Sequence, residues 1–371
     1  MGVHDVCPGA EAAVVECRTD HPGAPALGLS RHPSSARRGM VFLCSLCSLF
    51  LYVSTLSAQS SLPIIVDTDA GADDMMALAY LLSSRDARIE AITVVHGVAH
   101  VSEGARNIRR LLDLAGRPEI PVFEGEERPL QGLRPFPADW RALADKLPGV
   151  DLPEIGDTRS AERAVSYLKR RLKDRRHPVR ILALGPLTHL AVVLRDVPEG
   201  MKTIDRLVIM GGAVSVPGNL SGGNPEKAAN EVAEWNIYAD PHAAGAVFKV
   251  PVTTLLVPLD ATMRVPITRP FVEDFRRRNL TPLGRVVAQL LESSLPLIDT
   301  HMYFAWDPLA AAALLDSSIV TAKPAALNVV TTGKDVGRTK LARWNSGSKL
   351  RVAVDADPAR FQTSFERAFA K

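Results

Sequence analysis

The sequence is poor in cysteine, and the few cysteines that it has lie close together. The 371-residue chain contains four, all within its first 47 residues. From residue 59 onward the chain therefore has neither a disulfide framework nor thiolate chemistry available to it. An excess of charge of one sign is also lacking. The formal net charge of +3 indicates no particular class of partner.

Features of a nucleic-acid-binding protein are absent as well. The most basic stretch, KRRLKDRRHPVR (169–180), is interpreted as a solvated helix end, because neither aromatic platforms nor a nucleic-acid motif accompanies it. Hydrophobic residues make up 46% of the chain and charged residues 23%, as in ordinary globular proteins. No internal repeat or long linker interrupts the chain, which predicts one domain over residues 59–371.

Long hydrophobic runs are missing too. The longest apolar segment, VFLCSLCSLFLYVSTL (41–56), follows Arg37 and Arg38 and precedes the small, polar LSAQSS. That order predicts a signal peptide over residues 40–58, and hence a secreted or periplasmic protein without a stable membrane span. A membrane anchor, which needs about 20 apolar residues, is the secondary hypothesis. Residues 1–39 show no helical or strand period and are interpreted as disordered or as upstream of the true start.

Short apolar runs alternate with helical patterns from residue 63 onward. The strand-like runs are PIIVDTD (63–69), IEAITVVHG (89–97), VRILALGP (179–186), IDRLVIMGG (204–212) and VPVTTLLVPLD (250–260). Such strands, separated by helices, predict an α/β fold with a mostly parallel central sheet flanked by helices, Rossmann-like in kind. In these sheets ligands bind outside the carboxyl ends of the strands. Asp67, Asp69 and Asp260 fall at such ends.

Four carboxylates lie within eight residues directly behind the first apolar run: Asp67, Asp69, Asp73 and Asp74. A helix start explains only Asp73 and Asp74. A calcium loop of the EF-hand type is excluded, because Ala72 stands where that loop needs glycine and Leu78 where it needs glutamate. An Asp-x-Asp pair after a strand also opens the haloacid dehalogenase phosphotransferases. A metal site at a strand end and a phosphotransfer site therefore both stay open at this point.

The longer pattern resembles the nucleoside hydrolases, whose signature after the first strand is Asp-x-Asp-x-Gly-x-Asp-Asp. Five further segments are similar to later blocks of that family, in the same order: LALGPLTHLA (182–191), MGGAVSVPGN (210–219), AEWNIYADPHAA (233–244), PLDAT (258–262) and YFAWDPLAAA (303–312). The resemblance runs from about residue 63 to the C-terminus. The segments AEWN, MGGAV and YFAWD are most similar to the purine-preferring inosine–adenosine–guanosine group.

The resemblance implies hydrolysis of the N-glycosidic bond of a ribonucleoside to free base and ribose, with one bound Ca²⁺. The implied calcium ligands are all oxygens, which suits a hard ion. They are Asp69, Asp74, Asp307 and the backbone carbonyl of Leu184. Asp69 is also implied as the general base for the metal-bound water that attacks the sugar, and Asp67 is expected to orient the loop.

A second implied set of residues binds the ribose. Its members are Asp73, Asn219, Glu234 and Asn236. Asn230 competes with Asn219 for the same role. Glu234 and Asn236 are expected to share one face of an extended segment.

Two positions depart from the family pattern. Val98 follows Gly97 where many members have asparagine, so one polar sugar contact is expected to be missing. Trp306 stands where members that accept pyrimidines have a histidine that protonates the leaving base. The purine-preferring group is thought to stack the purine between two tryptophans, which raises its proton affinity. The expected pair here is Trp306 and Trp140.

The sequence therefore predicts a calcium-dependent, purine-leaning ribonucleoside hydrolase that forms a homodimer or tetramer, with nucleoside salvage as a hypothesis for its purpose. A broad or pyrimidine-preferring hydrolase is the alternative within the family. A non-catalytic nucleoside-binding protein would not need Asp69 as a base. A phosphotransferase would leave the AEWN and AWD segments unexplained. Four histidines are interpreted as ordinary polar residues, with one of them, His301, near the rim of the site: His96, His100, His189 and His301.

Overall fold

The computed structural model describes residues 62–156, 159–220, 230–278, 281–343 and 350–370. The predicted leader segments, 1–39 and 40–58, lie outside the described residues, so export stays a prediction. Within the described ranges, no helix is both long and apolar enough to cross a membrane.

Ten strands are formed by the described residues: β1 (Ile64–Thr68), β2 (Ile89–Val94), β3 (Val122–Glu124), β4 (Val179–Ala183), β5 (Ile204–Met210), β6 (Thr254–Val257), β7 (Val320–Pro324), β8 (Leu327–Val329), β9 (Thr339–Leu341) and β10 (Leu350–Ala356). The α-helices of the same ranges are α1 (Ala72–Ser83), α2 (Val101–Leu114), α3 (Ala138–Lys146), α4 (Ala164–Lys173), α5 (Thr188–Asp196), α6 (Trp235–Ala239), α7 (Pro241–Val247), α8 (Leu259–Thr262), α9 (Arg269–Arg278), α10 (Pro282–Ser293), α11 (Leu295–Ile298), α12 (Trp306–Leu315) and α13 (Pro358–Phe369).

Eight of the strands form one sheet in the order β3-β2-β1-β4-β5-β6-β10-β7. All neighbours in it are parallel except β10 and β7, which pair antiparallel at one edge. The remaining two strands, β8 and β9, form a separate antiparallel hairpin. The predicted α/β fold with a mostly parallel central sheet is confirmed.

The sheet is buried on both faces, and the side chains of its strands alternate between two apolar layers. Ile64 and Val66 pack with α1, α10, α12 and α13 on one face. Ile65 packs with α4, α5 and α7 on the other. This period of two is the ordinary consequence of strand geometry. Burial on both faces explains why β1 is a continuous apolar run rather than an alternating one.

The predicted fifth strand is shorter in the structure than in the sequence pattern. Strand β6 ends at Val257, and Asp260 lies in the short helix α8 instead of at a strand end. Pro258 separates the two elements, because it has no N–H to continue a ladder of hydrogen bonds. The Asp260 carboxylate accepts hydrogen bonds from the backbone N–H groups of Val214 and Ser215, at 2.9 and 2.8 Å.

An aromatic cluster joins the C-terminal helix α13 to α1 and α9. The ring of Phe365, 2% exposed, lies 5.5 Å from that of Tyr80 and 5.7 Å from that of Phe275, measured between centroids. Phe361 and Phe369 of the same helix lie 5.4 and 5.3 Å from it. Phe365 therefore stands at the centre of the cluster and ties α13 to the layer that carries α1.

Replacing Phe365 with alanine is expected to lower the free energy of unfolding by about 3–5 kcal/mol, because a buried aromatic ring is lost and a cavity remains. Urea unfolding followed by circular dichroism measures the loss. Gln362→Ala, an exposed change on the same helix, is the control and is expected to cost at most about 0.5 kcal/mol. Equal losses in the two variants would show that the cluster does not hold α13 in place.

Candidate active site

The predicted site residues gather where the strand order of the sheet reverses. Strands β2 and β3 lie on one side of β1, whereas β4, β5 and β6 lie on the other. Such a switch point leaves a crevice outside the carboxyl ends of the two central strands, where ligands bind in α/β folds. Asp69 follows β1 at this point, and Leu184 follows β4.

Asp69 is buried between the turns that follow β2 and β4. A Cβ atom on Gly97 would lie 2.0 Å from Oδ2 of Asp69, and one on Gly185 would lie 3.0 Å from its Cβ, so both turns need glycine for this close approach. The backbone N–H of Val98 donates to Oδ2 of Asp69 at 2.8 Å. Ala70, the next residue along the chain, has a φ of 59°, a strained conformation typical of functional loops.

Three further carboxylates meet beside Asp69. One oxygen each of Asp73, Asp74 and Asp307 lies within 4.8 Å of the others. Asp73 and Asp74 belong to the first turn of α1, and Asp307 belongs to the first turn of α12. The N-terminal ends of two helices thus face the cluster, and their dipoles favour negative charge there. Thr68 Oγ1 donates to Oδ1 of Asp74, which fixes the orientation of that carboxylate.

The cluster is electrostatically strained. Burial, followed by the charge of Asp74, raises the pKa of Asp69 and of Asp307 well above the usual range of aspartate. The same two causes raise the pKa of Asp73 to about 7. In addition, Oδ1 of Asp307 is buried without a hydrogen-bond partner among the described residues. Clustered carboxylate oxygens with an unpaired acceptor among them fit a hard cation such as calcium.

The remaining predicted metal ligand lies at the same end of the sheet. The carbonyl of Leu184 precedes Gly185, which abuts Asp69, and accepts a hydrogen bond from Nδ2 of Asn236 at 2.7 Å. The structure thus brings together the residues of the predicted calcium and ribose sets around Asp69. Asp73 joins the carboxylate cluster itself, although the sequence assigned it to the sugar.

Glu234 and Asn236 are not on an extended segment, and that expectation was wrong. Glu234 is the N-cap of α6, and its carboxylate accepts from the backbone N–H groups of Asn236 and Ile237 at 2.8 and 3.2 Å. It also accepts from the N–H of Gly212 at 2.8 Å. These bonds start a helix one residue after Glu234. A ribose contact for this buried carboxylate stays a prediction.

Of the two competing asparagines, Asn219 lies closer to the other predicted sugar ligands. Its Oδ1 accepts from the backbone N–H of Trp235 at 3.2 Å, and its own N–H donates to the carbonyl of Ala233. Asn230 instead donates from Nδ2 to the carbonyl of Val336 at 2.8 Å. Asn219 thus binds the backbone on both sides of Glu234, and a ribose contact for either asparagine stays a prediction.

The two predicted stacking tryptophans belong to different apolar clusters. Trp140 packs at 5.6 Å from Trp235, at a tilt of 58°, and Trp306 packs edge-on against Tyr303 at 5.0 Å. Among the described ring contacts, none joins Trp140 to Trp306 directly. Val98, which stands where many family members have asparagine, packs against both clusters. Its apolar side chain therefore lies against the cluster of Trp140 and against that of Trp306.

Sequence reasoning missed a buried polar network beneath Asp69. His189, interpreted as an ordinary helix residue, has Nδ1 2.7 Å from Oδ1 of Asp67, and both side chains are almost completely buried. His96 has Nε2 2.8 Å from Oγ1 of Thr188, whose hydroxyl donates to Oδ2 of Asp240 at 2.7 Å. A usable signal was present at His189, since it occupies the asparagine position of the family segment Gly-Pro-Leu-Thr-Asn-Leu.

Comparison with known proteins agrees with this geometry. Residues 64–363 match the family model described as inosine-uridine preferring nucleoside hydrolase. The chain is 34% identical over 282 residues to the pyrimidine-specific ribonucleoside hydrolase RihA of Salmonella schwarzengrund. The aligned region covers 74% of this chain and 86% of the relative.

Two solved structures have the same fold. One is a purine-preferring ribonucleoside hydrolase from Gardnerella vaginalis, with a TM-score of 0.71, 27% identity and coverage of 83% of this chain and 98% of that chain. The other is an inosine-uridine preferring nucleoside hydrolase from Bacillus anthracis, with a TM-score of 0.72 and the same identity and coverage. The family model and the relatives agree with the carboxylate cluster at the switch point of the sheet. The chain therefore belongs to the inosine-uridine preferring nucleoside hydrolase family and is a ribonucleoside-cleaving glycosidase.

Proposed function

We propose that this ribonucleoside hydrolase depends on calcium and prefers purine nucleosides. The observation that carries the calcium dependence is the largely buried cluster of carboxylates at the sheet's switch point, where burial and the charge of Asp74 raise the pKa values of Asp69, Asp73 and Asp307. Calcium, when bound, supplies that charge, polarises the attacking water and orients the ribose. Asp69, Asp74, Asp307 and the carbonyl of Leu184 would hold it.

Asp69 acts as the general base in this proposal. A carboxylate can accept a proton only when it is ionised, and burial beside Asp74 disfavours its ionised form. In its ionised form Asp69 would take the proton of the water that attacks the anomeric carbon. The N–H of Val98 holds Oδ2 of Asp69 and so limits its rotation.

The ribose is bound by the residues around Asp69. Asp73 is the partly exposed member of the carboxylate cluster and accepts from ribose hydroxyls in this proposal. Asn219 binds the backbone N–H of Trp235, and the N–H of Asn236 binds the carboxylate of Glu234. In this proposal both asparagines supply amide groups to the sugar. As the glycosidic bond breaks, the ring gains oxocarbenium character, and the negative carboxylates stabilise its positive charge.

The purine preference rests on Trp306. An indole ring has no proton acidic enough to be transferred to a leaving base, so departure has to be assisted in another way. Trp306 directly precedes Asp307 in the first turn of α12, and its ring packs edge-on against Tyr303. In this proposal the ring also stacks on the leaving base. Stacking favours the larger purine ring over a pyrimidine.

A second candidate is a hydrolase that prefers pyrimidines. The observation that favours it is the 34% identity to the pyrimidine-specific hydrolase RihA, which is higher than the 27% identity to the purine-preferring structure.

Ribose release from inosine is expected to stop after dialysis against a chelator and to return when calcium is added. Asp69→Asn is expected to lower kcat by about 10²–10⁴-fold, because the general base is removed. Asp205→Asn, at an exposed carboxylate of β5, is the matched control and is expected to keep wild-type kcat. Full activity of dialysed protein with no bound metal would contradict the calcium proposal.

Substrate preference is measured as kcat/KM for inosine, guanosine, adenosine, uridine and cytidine. The purine nucleosides are expected to exceed uridine by about tenfold or more. Trp306→Phe, which keeps an aromatic face, is expected to retain most of the purine activity, whereas Trp306→Ala loses it with little change for uridine. Faster cleavage of uridine than of inosine by the wild type would favour the second candidate.

The pH dependence of stability also tests the cluster. The folded pKa of Asp73 is about 7 against 3.8 for an ordinary aspartate, so the metal-free folded state binds more protons than the unfolded state between these values. The contribution of this group to stability is present at low pH and is lost as pH rises through about 7. We therefore expect calcium to raise the Tm most at pH 8 and progressively less toward pH 5. Asp73→Asn is expected to show a flatter dependence. A calcium effect independent of pH would contradict this account.

A further inference from the structure

Two adjacent residues at the start of α5 connect to both chain segments that hold Asp69. We propose that Thr188 and His189 are positioning residues that keep Asp69 in the orientation needed to accept a proton. The inference rests on the proposed role of Asp69 as general base. It concerns two residues that touch neither the carboxylate cluster nor the predicted sugar ligands through any hydrogen bond of the described residues.

His189 acts on the segment that precedes Asp69. Its Nδ1 donates to Oδ1 of Asp67 at 2.7 Å, and the hydroxyl of Thr93 donates to the same oxygen at 2.6 Å. The other ring nitrogen, Nε2, is buried against Gly125 and has no hydrogen-bond partner among the described residues. A proton there would be buried and unsatisfied, so the proton lies on Nδ1. Asp67 is thereby held between β2 and α5, two residues before Asp69.

Thr188 acts on the turn that follows β2, whose residue Gly97 packs against Asp69. Its single hydroxyl proton goes to Oδ2 of Asp240, so its oxygen accepts from Nε2 of His96. Asp240 is itself fixed, since its Oδ1 accepts from the N–H of Ala243 at the start of α7. His96 directly precedes Gly97, so this chain of bonds holds the β2 turn at its first residue.

The two connections converge on one carboxylate. Gly97 closes one side of Asp69 with its backbone, and the N–H of Val98 binds Oδ2 at 2.8 Å. On the other side, Asp67 sets the direction in which the chain leaves β1 toward Asp69. Burial lowers the pKa of His96 to about 4, so its ring is neutral and adds no charge near the carboxylates. Misplacement of a catalytic group by about 1 Å can cost about 10²-fold in rate.

The test compares variants of His189 in the full chain, at saturating calcium and over a range of nucleoside concentrations that gives both kcat and KM. His189→Leu fills the space but has no donor, and it is expected to lower kcat by about 10–100-fold while KM changes by less than about threefold. His189→Asn is expected to recover most of the activity, because its side-chain amide reaches Asp67 from the same δ position. Thr188→Val and Thr188→Ser form the matching pair for the second connection, since only serine keeps the hydroxyl.

Leu190→Ala is the control for a purely structural effect. Leu190 is the next residue of α5 and is completely buried, so its truncation lowers stability without touching the polar connections. Each variant is assayed well below its own Tm. The expected result is a wild-type kcat for Leu190→Ala and a reduced kcat for His189→Leu and Thr188→Val.

The outcomes separate this inference from the proposed function. Equal kcat values for His189→Leu and His189→Asn, or an equal loss in Leu190→Ala, would overturn the positioning role. If Asp69→Asn abolishes turnover but the α5 variants do not reduce it, only the positioning inference is wrong. If Asp69→Asn keeps wild-type kcat, the proposed base is wrong, and the inference fails with it.

Discussion

Four carboxylates lie in and around a largely buried space at the carboxyl end of β1, and the rest of the site depends on this concentration of negative charge. Burial and mutual repulsion raise the pKa values of Asp69, Asp73 and Asp307, so the folded chain carries an electrostatic cost there. Helix N-termini offset part of it, because α1 and α12 both begin at the cluster. In the proposed function a divalent cation offsets the remainder, and clustered carboxylate oxygens are the ligands that a hard cation prefers.

Bringing these oxygens together requires close approach of backbone segments. Gly97 and Gly185 lie on turns that flank Asp69, and a side chain on Gly97 would overlap its carboxylate. The parallel sheet provides this arrangement, since β2 and β4 are the two neighbours of β1 and their turns emerge at the same edge. The site is thus built by three adjacent strand ends and the first turns of the helices α1 and α12.

A group of hydrogen-bonded polar side chains is buried beneath the site, among helices and strands that otherwise contact one another through apolar residues. Asp67, His189, His96, Thr188 and Asp240 are all buried, in a region where neighbouring elements are joined by apolar contacts. Buried polar groups are costly unless they are hydrogen-bonded, and in return they specify orientation more strictly than apolar contacts do. A network of this kind is suited to hold the proposed base Asp69 at a defined angle, and it is attached at β1, at the turn after β2 and at the start of α5.

The amino-acid sequence by itself determined the fold class and the family, and its resemblance to that family selected the candidate site residues. The apolar runs of β1, β4 and β5 are long and regular enough to be read directly, and the spacing of Asp67, Asp69, Asp73 and Asp74 is specific to the family. Strands β3, β7 and β10 of the main sheet were not predicted. Strand β3 has only three residues, and charged residues interrupt the apolar pattern of β7 and β10. Only the tertiary structure placed Asp307 beside Asp74, brought the N–H of Gly212 to the carboxylate of Glu234 and gave His189 a carboxylate partner. These features depend on contacts between residues far apart in the chain, which local pattern does not encode.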